Sequence, residues 1–167
     1  MRIALIDNDL VMRDNHNFPN LAIMKLSAYH KSVGDDVRLV GFDEINPTLM
    51  FHNEFDIIYI SKAFTDTPTP KFVHDMSNVK IGGTGFYFDK AAPLPDKIEH
   101  SKPDYDIYKS AYSFIKKKDF YEDYSIGFTT RGCFRHCEFC VNINYNKVSI
   151  HSLIDEFYDP RRRKLAM

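Results

Sequence analysis

The chain has 167 residues, a length that suits one domain or one domain followed by part of another. Hydrophobic residues make up 44% of it, which is ample for a buried core, and the formal net charge of −1 arises from mixed signs. This balance excludes the strongly basic field typical of nucleic-acid-binding proteins and gives no reason to expect binding to a membrane surface. We therefore expect a globular protein whose partners are small molecules or other proteins.

The N-terminal residues do not have the pattern of a signal peptide. Residues 1–7 run into the polar stretch Asp7-Asn8-Asp9 too soon, and no apolar run approaches the length needed to cross a membrane. We predict a protein of the reducing cytoplasm, where unpaired thiols persist.

Strand and helix patterns alternate in the first half of the chain. The predicted elements are a strand over 2–7, a helix over 20–33 capped by Asn20 and stopped by Gly34, strands over 37–41 and 55–60, a short helix over 71–76 and a strand over 79–81. The alternation predicts an α/β fold with a doubly wound, mostly parallel sheet. Ligands of such sheets bind at the C-terminal strand ends, which makes the loops after Asp7, Ile60 and Ile81 the candidate pocket.

The second half of the chain begins with a proline-rich connector over 91–106. We place a domain boundary near its end, with residues 1–105 as the α/β domain and 106–167 as a linker and a first β/α unit. In that unit a β-rich strand is predicted over 125–130 and a short helix over 149–158.

All three cysteines of the chain lie close together, as Cys133, Cys137 and Cys140 in the pattern CxxxCxxC. Three thiols cannot all pair as disulfides, and such tight spacing in a loop suits a metal ion or a cluster. A four-iron cluster ordinarily takes four thiolates, so three thiolates would leave one iron open to bind a small molecule.

CxxxCxxC with an aromatic residue, Phe139, just before the last cysteine resembles the motif of the radical S-adenosylmethionine (SAM) enzymes. The resemblance implies that Cys133, Cys137 and Cys140 hold a [4Fe-4S] cluster, that SAM chelates the open iron, and that Phe139 packs near the SAM adenine. In that family, reductive cleavage of SAM gives a deoxyadenosyl radical that abstracts hydrogen from the substrate. Gly132 suits a backbone that turns sharply into the loop, since glycine tolerates positive φ.

The same resemblance makes strand 125–130 the first strand of a β/α barrel. A barrel of six or more units at roughly 30 residues each needs far more chain than follows Cys140. The chain therefore resembles the N-terminal part of such an enzyme, and either a longer chain or a separate chain would complete the barrel.

The first half resembles the B12-binding domain, a flavodoxin-like domain that precedes the barrel in one branch of the family. The residues that carry this likeness are Phe18-Pro19-Asn20-Leu21-Ala22, Tyr59-Ile60-Ser61 and Gly82-Gly83. The cobalt-ligating pattern DxHxxG would make His16 the cobalt ligand, but Pro19 stands where the pattern has glycine. We expect a domain that keeps this fold without binding cobalamin, with cobalamin at His16 as the alternative.

Zinc is the main alternative to iron. His136 or His151 could add a fourth ligand to the three cysteines, as in structural zinc sites. His136 lies between two cysteines, where joint ligation is awkward, and His151 opens the predicted helix. Incidental thiols are the third reading of the motif.

Two functional hypotheses follow. The first is a radical SAM-type iron-sulfur protein that acts on a small-molecule substrate with an electron donor, its enzymatic status open because the barrel is incomplete. The second is a non-catalytic α/β binding module with a structural zinc or a vestigial metal loop.

Overall fold

A computed structural model describes residues 1–50, 54–111, 123–135, 137–138 and 147–167. Its centre is a four-stranded parallel sheet in the order β2-β1-β3-β4. The strands are β1 (Arg2–Asp7), β2 (Asp36–Leu39), β3 (Ile57–Ser61) and β4 (Val79–Gly82). The predicted α/β class with a mostly parallel sheet is confirmed.

The α-helices of the described residues are α1 (Asn8–Met12), α2 (Leu21–Ser32), α3 (Thr84–Tyr87) and α4 (Asp96–Glu99). The Asn20 side chain accepts hydrogen bonds from the N–H groups of Ala22 and Ile23, so the predicted cap of α2 is confirmed. Gly34 follows α2 with φ of +85°, a conformation that suits glycine at a helix end. The predicted helix over 71–76 is a 3₁₀-helix, Lys71–Asp75, and the connector contains α4, which the proline pattern did not predict.

Both faces of the sheet are buried, which explains the continuous apolar runs in the strands. Ile3 and Leu5 of β1 pack under α2, while Ala4 and Ile6 pack on the opposite face. The face under α2 also receives side chains from later in the chain, namely Tyr105, Ile107, Tyr108 and Ile126. Apolar packing thus joins residues on the two sides of the boundary predicted after residue 105, and that boundary stays a prediction.

Four short strands form two further pairs. β5 (Tyr124–Ile126) pairs in parallel with β8 (Lys164–Ala166), and β6 (Thr130–Arg131) pairs antiparallel with β7 (Ser149–Ile150). The strand predicted over 125–130 is therefore two strands separated by residues 127–129. A barrel beginning at β5 stays a prediction.

The helix predicted over 149–158 is wrong. Its first residues form β7, and the N–H of His151 donates to the carbonyl of Thr129 at 2.9 Å, which extends the pairing with β6. Helical structure is limited to the 3₁₀-helix Ile154–Glu156, where the Glu156 carboxylate accepts from the N–H of Leu153. Strand pairing at 149–151 outweighed the local helix signal.

Candidate functional site at the C-terminal edge of the sheet

The cysteine loop begins directly after β6. Cys133 and Cys137 are half-buried, and neither forms a disulfide with a described residue. The Sγ of Cys133 accepts a hydrogen bond from the N–H of Arg135 at 3.4 Å. The predicted ligand Cys140, the predicted SAM contact Phe139 and the alternative ligand His136 lie outside the described residues.

Two of the three predicted thiol ligands can thus be located, and both are unpaired and accessible to solvent. Within the described residues, no group of three histidine, cysteine, aspartate or glutamate side chains is arranged to hold a metal ion. The donor chemistry of two thiols with a third nearby in sequence fits a thiophilic metal or an iron-sulfur cluster.

Gly132 precedes the first cysteine with φ of +84°. A Cβ built on it would overlap the carbonyl oxygen of Lys147, on the opposite arm of the β6-β7 hairpin. The positive φ expected at Gly132 is found, and the close approach of Lys147 is a second reason for glycine at this position.

A cluster of charges joins this hairpin to the main α/β unit. Glu99 Oε1, at the end of α4, lies 3.1 Å from Nζ of Lys25, 3.2 Å from Nε2 of His151 and 3.6 Å from Nη2 of Arg131. Lys25 comes from α2, whereas Arg131 and His151 come from the hairpin. Glu99 therefore links the cysteine-bearing hairpin to α2 and α4.

A second contact lies beside the first. His100 Nδ1 is 2.8 Å from Glu156 Oε2, and the rings of His100 and His151 are 5.5 Å apart. Burial would raise the pKa of Glu156, but hydrogen bonds from His100 and the Leu153 N–H lower it to about 2. Burial lowers the pKa of His151. His151 therefore makes a contact between the hairpin and α4, rather than opening a helix as the sequence predicted.

A pocket of about 630 Å³ lies between α2, the ends of β3 and β4, residues 88–94 and the hairpin. Ser61, Gly82 and Gly83 line it, so two of the three predicted strand-end loops border this cavity. Arg131, Gly132 and His151 line it from the hairpin side. The pocket thus lies at the sheet edge, next to the start of the cysteine loop.

The loop predicted after Asp7 is wrong, because α1 begins directly after β1, with Asp7 as its N-cap. The polar side chains at this end of β1 form internal hydrogen bonds. Asp7 is buried, and its Oδ2 accepts from the hydroxyl of Tyr108 at 2.7 Å and from the N–H of Asn20 at 3.2 Å. Burial raises the pKa of Asp7 to about 7, although these two hydrogen bonds and a third from the N–H of Leu10 act to lower it. The side-chain amide of Asn20 donates a hydrogen bond to Ser61 Oγ at 2.9 Å. Asn20 therefore links Asp7, at the end of β1, to Ser61, at the end of β3.

Asn8 and Asp9, which follow Asp7, form hydrogen bonds with the loop after β3. Asp9 accepts hydrogen bonds from the N–H of Ala63 at 2.6 Å and from the hydroxyl of Thr67, and the Asn8 amide donates to the carbonyl of Pro68. The sequence predicted a polar loop here, whereas Asn8 and Asp9 form the first turn of α1, and these buried contacts were missed. Their signal was the run Asp7-Asn8-Asp9 directly after an apolar strand.

His16 packs beside the loop that follows β3. Its ring packs edge-on against Phe64 with centroids 5.5 Å apart, and burial lowers its pKa. The guanidinium of Arg13 covers the same Phe64 ring at 4.7 Å. Pro19 is buried. A cobalt-ligand role for His16 stays a prediction.

Three comparisons with known proteins found no relative of this chain. No family model matches the chain, and neither the curated proteins nor the solved structures give a significant match. Among the described residues no helix is both long and apolar enough to cross a membrane.

Proposed function

We propose that the chain is a radical SAM-type iron-sulfur protein of the cytoplasm, or the N-terminal part of one. The observation that carries the proposal is the spacing of its three cysteines, Cys133, Cys137 and Cys140, with Phe139 before the last. The proposed partners are a small-molecule substrate, an electron donor and the remainder of a β/α barrel, from this or another chain.

In this proposal the three thiolates hold a [4Fe-4S] cluster and Phe139 packs against SAM. The bound cluster and SAM would supply one-electron chemistry that starts a radical reaction. The half-buried state and free thiols of Cys133 and Cys137 support the assignment, because a ligand thiol must be accessible for loading and must not be in a disulfide. Gly132 contributes the turn that starts the loop.

The α/β unit would act as a support for the loop. Glu99 holds the hairpin through His151 and Arg131, so the start of the loop is fixed relative to α2 and α4. The B12-binding-like character of this unit is part of the proposal, and cobalamin binding is not.

The second candidate is a non-catalytic binding module whose loop holds zinc. The observation that favours it is the large pocket beside the loop, which offers a binding function without any redox chemistry. In that case His136 would be the fourth ligand, since His151 is already engaged with Glu99 and Ser152.

Anaerobic reconstitution with iron and sulfide, followed by metal and sulfide analysis, separates the two candidates. We expect about four irons and four sulfides per chain, as in a [4Fe-4S] cluster. Cys133→Ala, Cys137→Ala and Cys140→Ala should each abolish loading, whereas the matched His136→Ala should retain it. Stoichiometric zinc without iron, lost in His136→Ala, would establish the binding module instead.

A further inference from the structure

The pocket beside the hairpin has the size of a small-molecule site. Its volume of about 630 Å³ falls within the range of cavities that enclose drug-sized ligands. Neither of the described cysteines, Cys133 and Cys137, lines it, so the ligand of the pocket is a question separate from the metal loop.

Most of the lining is apolar. The apolar side chains come from α2, from β4 and from the segment that follows it, and they include Leu21, Leu26, Ile81, Phe88, Pro93 and Leu94. Phe88 is exposed to solvent, and Leu94 is only partly buried. A ligand with an apolar body would remove such surface from water, which is the main source of affinity in sites of this kind.

The described side chains that line the pocket carry more positive than negative charge. Among the described residues that line the pocket, the cations of Lys25, Lys80 and Arg131 face one carboxylate, that of Glu99. Lys25 is the closer partner of Glu99, with its side chain 6% exposed and Nζ 3.1 Å from the carboxylate. The pair Lys25–Glu99 is therefore nearly neutral, and the other two cations give the pocket a positive charge.

These two cations are available to a ligand. The Arg131 side chain is 47% exposed, stacks on Phe128 at 4.1 Å and lies 3.6 Å from Glu99, a contact too long for a hydrogen bond. Lys80 is exposed and stands over the ring of Tyr59 at 5.4 Å, and it forms no ion pair with an acidic side chain of the described residues. An anionic group at the pocket would meet these two cations, for which the described part of the chain offers no closer acidic partner.

We propose that the pocket binds an organic acid that carries one anionic group on an apolar body. The apolar body packs against α2 and residues 88–94, and the anionic group interacts with both Arg131 and Lys80. The proposal does not depend on the metal assignment, because neither Cys133 nor Cys137 is among the lining residues.

The test compares two fluorescent dyes with similar aromatic bodies, anilinonaphthalene sulfonate, which is anionic, and phenylnaphthylamine, which is neutral. Fluorescence titration of the full chain should give saturable binding of both dyes at one site. Arg131→Gln and Lys80→Gln should each weaken the sulfonate about threefold, as expected for a partly exposed ion pair, and leave the neutral dye unchanged. Arg163→Gln, an exposed arginine outside the lining, is the matched control and should change neither.

A second variant tests whether the dyes occupy this pocket. Ala92 lines it and is exposed, so Ala92→Trp can fill the cavity without disturbing the core. We expect the affinity for both dyes to fall about tenfold or more, the loss expected when bulk occupies an apolar site. Unchanged binding in Ala92→Trp, unsaturable binding, or equal losses of both dyes in the two charge variants would overturn the proposal. None of these results bears on iron loading, so the two proposals fail independently.

Discussion

Asp7 is the residue on which the loops at the sheet edge depend. Its carboxylate is buried at the end of β1 and accepts from Tyr108 and Asn20, residues far apart in sequence. Burial opposes ionisation more strongly than these donors favour it, so the pKa is raised from 3.8 to about 7. A carboxyl that is harder to ionise in the folded state makes stability depend on pH.

We predict that stability falls as the pH rises from about 4 to about 7 because of Asp7. In this window the folded state keeps a proton that the unfolded state has released, so raising the pH favours unfolding by up to about 1.4 kcal/mol per pH unit. Asp7→Asn removes this contribution. Urea denaturation at several pH values gives the free energy of unfolding as a function of pH. Between about pH 4 and 7 its slope should be less negative in Asp7→Asn than in the parent.

Asp66→Asn is the control, because the Asp66 side chain is 72% exposed and carries no comparable burial. Its slope should match that of the parent protein. Equal slopes in the parent and Asp7→Asn would contradict a raised pKa at Asp7.

Gly132 is the second residue with a defined local role. Gly132→Ala would place a Cβ against the Lys147 carbonyl in addition to the strain of positive φ, which costs about 1–2 kcal/mol by itself. We expect the His151 amide, bonded to Thr129, to lose hydrogen-exchange protection by about tenfold or more.

Gly34→Ala separates the two causes, since Gly34 has φ of +85° with no atom within 4 Å of an added Cβ. Gly34→Ala should lower the free energy of unfolding modestly. It should not reduce hydrogen-exchange protection of the hairpin more than that of the rest of the chain. If Gly132→Ala leaves protection at His151 as in the parent, the close approach to Lys147 is not a constraint on the hairpin.

At the level of elements, the most consequential contact is that of Tyr105 with β5. Its hydroxyl donates to the carbonyl of Phe157 at 2.6 Å and accepts from the N–H of Ile126 at 2.8 Å. The ring lies in the core under α2. Tyr105 therefore connects β5 and the segment after the hairpin to the main sheet.

We predict that Tyr105→Phe destabilises the protein by about 1–3 kcal/mol, because the buried N–H of Ile126 loses its acceptor while the ring volume is kept. Urea denaturation measures the change. The exposed Tyr158 is the matched position, and Tyr158→Phe should change the free energy of unfolding by less than about 0.5 kcal/mol. Equal effects of the two substitutions would mean that Tyr105 does not join β5 to the core.

The sequence predicted the sheet well where hydrophobic pattern and local capping act together. β1 was placed at its observed limits, and α2 began at its predicted cap, because a buried strand and a capped helix each have local signals. The helix predicted over 149–158 failed because pairing with β6 is a long-range contact that local sequence does not encode. The roles of Glu99 and Tyr105 were missed for the same reason.

At the scale of the whole molecule, the β6-β7 hairpin, from which the cysteine loop starts, is joined to the α/β unit at one edge of the sheet through Glu99. The spacing of the three cysteines is visible in the sequence alone because it is local, and their role as metal ligands stays a prediction. The sequence predicted only part of the pocket. The lining residues at the strand ends follow from the order of the strands in the sheet, whereas Arg131 and His151 come to the pocket through tertiary packing.

The most direct test of the proposed function is low-temperature EPR of the anaerobically reconstituted and reduced protein, recorded with and without SAM. We predict a four-iron signal that shifts when SAM is added, because three thiolates leave one iron open to SAM. Cys137→Ala should give no such signal. The absence of an iron-sulfur signal from protein reconstituted under these conditions, with zinc bound at the cysteines instead, would contradict the account.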